Sequence, residues 1–149
     1  LHNPSLISQC VKEIGSQSIV ASIDYKKSIV YGNRVYSHVL KKTLPISLVN
    51  MVNGVCKAGV GEVVINCVNN DGVMSGMDLD TIKLISNLTI VPIIACGGVG
   101  KMEHIAQAEL FGASAIAAGS IFVFHGKHKG ILINYPNEKR LSQFLKKKI

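Results

Sequence analysis

Two glycine turns, each closing a short apolar run, are the residues whose spacing points most directly to chemistry. The first run breaks at Gly97-Gly98 just before a helical pattern, and the second breaks one unit later at Gly119-Ser120. Glycine lets a backbone approach an anion closely, and the N–H groups at a helix start favour negative charge. This repeated arrangement predicts that Gly97, Gly98, Gly119 and Ser120 bind a phosphate group.

Two carboxylates follow apolar strands and are the candidate catalytic residues. Asp24 comes directly after a strand predicted over residues 18–23, and Asp71 lies in the loop after a strand predicted over residues 62–67. Two carboxylates in a partly dry site can divide the acid and base roles of a proton transfer. The structural alternatives are a helix or turn cap for Asp24 and an ordinary Asn-Asp-Gly turn for Asp71.

The cysteines and histidines predict neither a metal site nor a cofactor. His125 and His128 have a spacing that could bind metal, but no acidic third ligand lies near them in sequence. No pair of the four cysteines forms a CxxC motif, which favours reduced thiols and a cytoplasmic protein. The cysteines are Cys10, Cys56, Cys67 and Cys96.

Composition and charge favour a small anionic substrate over nucleic acid. The 149 residues are 48% hydrophobic and 17% charged, which suits one compact α/β domain. The net charge of +7 is dispersed along the chain, and only 5% of residues are aromatic, so little material is available for base stacking. No apolar run reaches the roughly 18 residues of a membrane span.

Helices and strands alternate along the chain, which predicts a parallel sheet with right-handed crossovers. A small hairpin around Gly32-Asn33 is expected to pair residues 29–31 with residues 34–38. The main predicted strands are 18–23, 62–67, 89–95 and 115–118, and the predicted helices are 3–14, 45–58, 78–86, 101–111 and one from Asn137.

Four parallel strands are too few to close a (β/α)8 barrel, which needs eight. Residues 1–149 are therefore expected to form one (β/α)4-type half-barrel domain with a C-terminal helix, a piece of a longer barrel. In such barrels phosphate sites follow strands 7 and 8, so the late glycine turns indicate the second half. A flavodoxin-like domain is the alternative, although its phosphate loop follows the first strand.

Several motifs together resemble the cyclase subunit of imidazole glycerol phosphate synthase, and the resemblance covers nearly the whole chain. The most specific of them is the sequence GGVGKMEH at residues 97–104. This resemblance also implies the second half of a (β/α)8 barrel. The segments that carry it are residues 3–6, 22–26, 61–66, 70–72, 75–78, 92–104 and 117–120.

The resemblance implies a lyase of histidine biosynthesis. Such an enzyme takes ammonia from a glutaminase partner subunit and combines it with a phosphoribulosyl aminoimidazole carboxamide nucleotide. The products are imidazole glycerol phosphate and an aminoimidazole carboxamide ribotide. A second catalytic aspartate, on strand 1 of the family's barrel, would lie upstream of Leu1, so little turnover is expected from these residues alone.

The resemblance also implies a role for each candidate site residue. Asp24 and Asp71 match the aspartates of strand 5 and of the loop after strand 6, and Asp24 would act as an acid and base in ring closure. Phosphate binding falls to Gly72, Gly97, Gly98, Gly119 and Ser120. The substrate pocket includes Asn66 and Ser75, and Glu62 matches the ammonia gate.

Two alternatives remain open at this stage. Asn66 and Asn69 depart from the Ser/Thr and Asp that are typical of the cyclases, and residues 122–136 look more like a paralogous branch linked to amidation of surface-polysaccharide sugars. The other alternative is a non-catalytic half-barrel that binds phosphate or forms a homo-oligomer.

Overall fold

The computed structural model describes residues 5–126, 128 and 130–145 of the chain. Amphipathic helices alternate with short strands, as the spacing of the apolar residues requires. The helices are α1 Ser5–Ile14, α2 Leu48–Lys57, α3 Leu79–Ser86, α4 Met102–Leu110, α5 Ser120–Val123 and α6 Glu138–Leu145. The strands are β1 Val20–Lys26, β2 Arg34–Ser37, β3 Lys42–Ser47, β4 Glu62–Cys67, β5 Ile93–Cys96, β6 Ala115–Ala117, β7 Phe124–His125 and β8 Gly130–Ile131.

A mostly parallel sheet of six strands forms the centre of the structure, in the order β3-β2-β1-β4-β5-β6. Strands β1, β4, β5 and β6 run parallel, while β2 and β3 add an antiparallel hairpin at the β1 edge. Helices link consecutive parallel strands, which is the βα unit of a barrel wall. The α/β fold class predicted from the sequence is confirmed, and the architecture is that of a partial (β/α) barrel.

The two faces of the parallel sheet have different surroundings. In β4 every second residue is buried, and the residues between are only partly covered. Ile23, Ile65 and Ala95 share the buried face with apolar residues of α2 and α3, and together they form the core. The other face, which carries residues 22, 64 and 94, is the face that a complete barrel would enclose.

The predicted hairpin was wrong in its pairing. Residues 29–31 form an exposed turn, and β2 pairs instead with β3 and with β1, where Val35 lies opposite Tyr25. The alternative pairing buries Val35 and packs Leu44 and Ile46 against the core. A local turn signal at Gly32 was outweighed by burial of apolar side chains from residues farther along the chain.

Several predicted boundaries also shift, among them the start of α2 and both ends of β1. Helix α2 begins at Leu48 and not at Pro45, because Ser47 is the N-cap and its Oγ accepts a hydrogen bond from the Asn50 N–H at 3.1 Å. Pro45 lies in β3, an edge strand, between Thr43 and Ser47 where the register with β2 shifts, a position at which proline is tolerated. Strand β1 continues to Lys26, so Asp24 lies within the strand and not after it.

Candidate active site

One row of side chains crosses the four parallel strands near their carboxyl ends. Asp24 lies opposite Asn66, Asn66 opposite Cys96, and Cys96 opposite Ala117. Residues at one level of a parallel sheet project to the same face. The row therefore lies on the open face, at the sheet edge where (β/α) barrels carry their active sites.

The Asp24 carboxylate has a partner on each side. Its Oδ1 accepts a hydrogen bond from Asn66 Nδ2 at 2.9 Å, and its Oδ2 lies 3.6 Å from His38 Nε2. The Asp24 side chain keeps 31% of its surface exposed, so solvent or a ligand can reach it. Asn66 Oδ1 is buried and accepts no hydrogen bond from the part of the chain that the structure describes.

Asp71 lies in the turn after β4 and is exposed. The N–H groups of Asn70 and Asp71 both donate to the Cys67 carbonyl at 3.0 Å, which fixes this turn. Burial, and then the charges of Asp71 and Asp24, raise the pKa of the Cys96 thiol. The negative charges of both predicted catalytic carboxylates therefore influence the same thiol. Because its pKa is raised, Cys96 stays protonated and is not an activated nucleophile.

Gly97 and Gly98 are both required by close packing between loops. A Cβ on Gly97 would lie 2.8 Å from the Cys67 carbonyl oxygen and 3.0 Å from Asn66 Oδ1, and a Cβ on Gly98 would overlap the Gly76 carbonyl. Both have positive φ, 94° and 98°. This tight packing accounts for the glycine pair without a ligand, so phosphate binding there stays a prediction.

Hydrogen bonds lock the same two loops together. The Gly76 N–H donates to the Gly98 carbonyl at 2.9 Å, and Asn70 Nδ2 donates to the Gly76 carbonyl at 3.0 Å. His104 Nδ1 accepts the Gly100 N–H at 3.2 Å. Burial and nearby Lys101 lower the pKa of His104, so the ring is neutral and able to accept. In the sequence, His104 stands out only as the last residue of the motif at residues 97–104, and its place among the buried residues of α4 is the signal that could have identified it.

The second glycine turn has open surroundings. Gly119 precedes α5, with Ser120 as the first residue of that helix. Apart from Gly119 itself and its chain neighbours, no described residue has an atom within 4 Å of a Cβ placed on Gly119, and the same holds for Gly72, which has a φ of 72°. Ser75 is exposed in the loop after β4. These residues lie beyond the carboxyl ends of β4 and β6, on the same rim as Asp24.

Glu62 lies at the opposite end of the sheet. It is the first residue of β4 and pairs with Val20 at the start of β1. Asn66 is four residues after Glu62, and at a rise of about 3.3 Å per residue the two lie about 13 Å apart along the strand. The predicted ammonia gate and the predicted catalytic rim are thus at opposite ends of the open face.

A buried polar network lies behind the rim, and the sequence patterns did not predict it. The Asp78 side chain is 3% exposed and accepts hydrogen bonds from Lys27 Nζ at 2.8 Å, Thr81 Oγ1 at 2.6 Å and the Tyr25 hydroxyl at 3.3 Å. Burial would raise the pKa of Asp78, but the hydrogen bonds of Lys27 and Thr81 outweigh it and hold the pKa below its usual 3.8. The network joins β1 to α3. Among the described residues, no hydrogen bond or ion pair links this network to the Asp24 carboxylate.

Within residues 5–126, 128 and 130–145, no group of three His, Cys, Asp or Glu side chains is placed to hold a metal ion. None of the helices in the same described residues has the length and hydropathy needed to cross a membrane.

Comparison with known proteins gives one family. The sequence profile described as "Histidine biosynthesis protein" matches residues 1–129. A Thermotoga protein named imidazole glycerol phosphate synthase subunit HisF is 43% identical over 123 residues, which are 82% of this chain and 48% of that protein.

Two other relatives carry the same subunit name provisionally. One, hisF2 of Pseudomonas aeruginosa, is 40% identical over 138 residues. The other, from Leptospira borgpetersenii, is 38% identical over 139 residues. Each alignment covers 92% of this chain and 55% of the relative, so the chain spans about half the length of the curated relatives it matches. On this match and on its partial (β/α) barrel, the chain belongs to the histidine biosynthesis protein family.

Proposed function

We propose that this chain is the second half-barrel of a cyclase subunit of the imidazole glycerol phosphate synthase type. The observation that carries the proposal is the shared rim: Asp24, held by Asn66, lies at the same sheet edge as the turns at Gly97-Gly98 and Gly119-Ser120. A carboxylate next to two glycine turns that would bind an anion suits acid–base chemistry on a phosphorylated substrate. The names of the relatives support the same activity.

Each residue of the rim has its own role in the proposed reaction. Asp24 is one-third exposed and has an oxygen beside Asn66, so it can accept and return a proton during ring closure. Asp71, on the neighbouring loop, is the second carboxylate. The open space at Gly119 and Gly72 leaves room for a phosphate to reach the backbone. Asn66 and Ser75 border the substrate pocket.

Ammonia supply uses the other end of the open face. Glu62 lies about 13 Å from the rim along β4, where a glutaminase partner subunit would deliver ammonia. The proposed reaction combines this ammonia with the phosphoribulosyl aminoimidazole carboxamide nucleotide. A complementary half-barrel must cover the open face so that ammonia does not escape to solvent. The occupant we propose is the other (β/α)4 half, because the chain spans about half of its relatives.

The test is an Asp24→Asn substitution in a complete barrel that contains this chain, assayed with ammonia and the nucleotide substrate. We expect kcat to fall about 10²- to 10⁴-fold, because the amide cannot exchange the proton. The control is Asp80→Asn, which removes an exposed carboxylate in the first turn of α3 and should leave kcat unchanged.

The other outcomes distinguish the alternatives. An Asp24→Asn variant with the same kcat as the wild type would show that Asp24 is not the catalytic acid and base. A complete barrel that converts a nucleotide sugar in place of the imidazole precursor would indicate the sugar-amidation branch. A complete barrel that binds phosphate and converts neither substrate would indicate a non-catalytic half-barrel.

A further inference from the structure

The β2–β3 hairpin brings a histidine to the candidate catalytic aspartate. His38 is the first residue after β2, and β2 pairs back onto β1 through Val35 and Tyr25. This pairing returns the chain along β1 toward Asp24. His38 Nε2 consequently lies 3.6 Å from Asp24 Oδ2, although Asp24 is in β1 and His38 is in the turn after β2.

The imidazole is held in place by its neighbours. The rings of His38 and Tyr36 meet edge to face, with centroids 4.9 Å apart and an angle of 88°. The Lys26 ammonium lies 4.2 Å from the centroid of the Tyr36 ring. Lys26 of β1 thus contacts Tyr36 of β2, and Tyr36 contacts His38, on the side of the hairpin that faces β1.

Fold stability does not account for this contact. The His38 side chain is 62% exposed and the Asp24 side chain is 31% exposed, and exposed ion pairs contribute little to stability. The separation of 3.6 Å is longer than a hydrogen bond, and contacts of this kind shorten when a substrate fills the site. With Asn66 donating to the other oxygen, side chains from β4 and from the turn after β2 flank one carboxylate.

We propose that His38 is a positioning residue for Asp24. Its Nε2–H donates to Oδ2 while Asn66 Nδ2 donates to Oδ1, and the two contacts fix the plane of the carboxylate that exchanges the proton with substrate. The inference rests on the catalytic role proposed for Asp24. It makes the hairpin, which lies outside the alternating βα pattern, a functional part of the site.

Turnover of a complete barrel containing this chain tests the role. We expect His38→Ala to lower kcat about tenfold and to leave KM within about twofold, because positioning affects the transition state more than ground-state binding. His38→Gln keeps an N–H donor at a similar reach and should restore most of kcat. The control is Val39→Ala, which alters a side chain 92% exposed in the same turn.

A second measurement does not depend on activity. In the 149-residue chain, the side-chain amide signal of Asn66 in NMR spectra reports the orientation of the carboxylate it donates to. We expect the signal to move in His38→Ala and to return near its wild-type position in His38→Gln. A Gln variant that matches the Ala variant would mean that only the ring current was lost, and this would overturn the proposal.

The two measurements separate the possible failures. An unchanged Asn66 signal together with an unchanged kcat in His38→Ala overturns the role of His38 and leaves Asp24 catalytic. If Asp24→Asn also turns over fully, the proposed function fails, and the NMR measurement still decides whether His38 orients the carboxylate.

Discussion

Gly98 makes a close approach between the loops that follow β4 and β5. A Cβ there would overlap the Gly76 carbonyl, and its φ of 98° disfavours any L side chain. Gly119 differs on both counts, since it has a φ of −121° and open space around it. The two glycines follow neighbouring strands but have different roles. Gly98 is required for packing, whereas Gly119 leaves its backbone accessible.

We expect Gly98→Ala to lower the free energy of unfolding by about 2 kcal/mol or more, from backbone strain and overlap. The matched control is Gly119→Ala, which should leave stability within about 0.5 kcal/mol. Urea unfolding followed by circular dichroism measures both. Equal stability of the two variants would show that the loops can separate without cost.

Asp78 links strand β1 to helix α3, a contact that the spacing of apolar residues along the chain does not predict. It directly precedes α3, and its carboxylate binds Lys27 and Tyr25 of the β1 segment as well as Thr81 of the helix. The hydrogen bond to Asp78 raises the pKa of Lys27, and burial raises the pKa of Tyr25, so the first stays charged and the second stays a neutral donor. The network fixes the start of α3 against the sheet.

Asp78→Asn should cost about 1–3 kcal/mol of unfolding free energy at pH 7, because Lys27 loses its charged partner. The folded-state pKa of Asp78 lies below 3.8, so its stabilisation is fully present above that pH and is lost as the pH falls through the folded value. The difference from wild type should therefore shrink at pH 2–3. Urea unfolding at pH 7 and at pH 2.5 measures this.

Asp80→Asn is the control for this experiment, since Asp80 is exposed on the same helix. It should change stability by less than about 0.5 kcal/mol at either pH. An Asp78→Asn chain whose deficit is the same at both pH values would contradict an ionised Asp78 in the fold.

At the scale of the whole molecule, the open face and the sheet edges set how the chain behaves by itself. A groove of about 380 Å³ runs beside β1, where Val20 is 51% exposed. Another groove, of about 660 Å³, borders β6 and is lined by Ile116, Phe122 and Tyr135. Such apolar surface is expected to be covered by another half-barrel.

We expect the 149-residue chain in isolation to associate with itself through this face, because a second copy offers the same apolar surface. Val64 lies at the middle level of the face, between Ser22 and Ile94. Val64→Lys should yield monomers by light scattering with an unchanged circular dichroism spectrum. Leu84→Lys, on the exposed side of α3, is the control and should not alter association.

A monomeric wild-type chain that binds no apolar dye would contradict the expected association. It would also mean that the open face is stable in water without a complementary half.

The sequence by itself determined the alternation of helices and strands, the parallel sheet and the edge that carries polar residues. These features follow from local patterns: apolar spacing defines each helix, and glycine marks where strands end. The carboxyl end of a parallel strand is also the same edge for every strand, so the sequence predicts that Asp24, Gly97-Gly98 and Gly119-Ser120 lie at one edge. Roles for individual site residues stay predictions.

Only the tertiary structure decided which residues meet across the chain. The Asp24–Asn66 hydrogen bond joins residues 42 apart, and Tyr25 reaches Asp78 across 53. The hairpin pairing and the place of His38 depend on which apolar side chains β2 and β3 can bury, and that choice is made by the core as a whole. Local patterns carry no information about such contacts, because their free energy arises only when distant segments are already packed together.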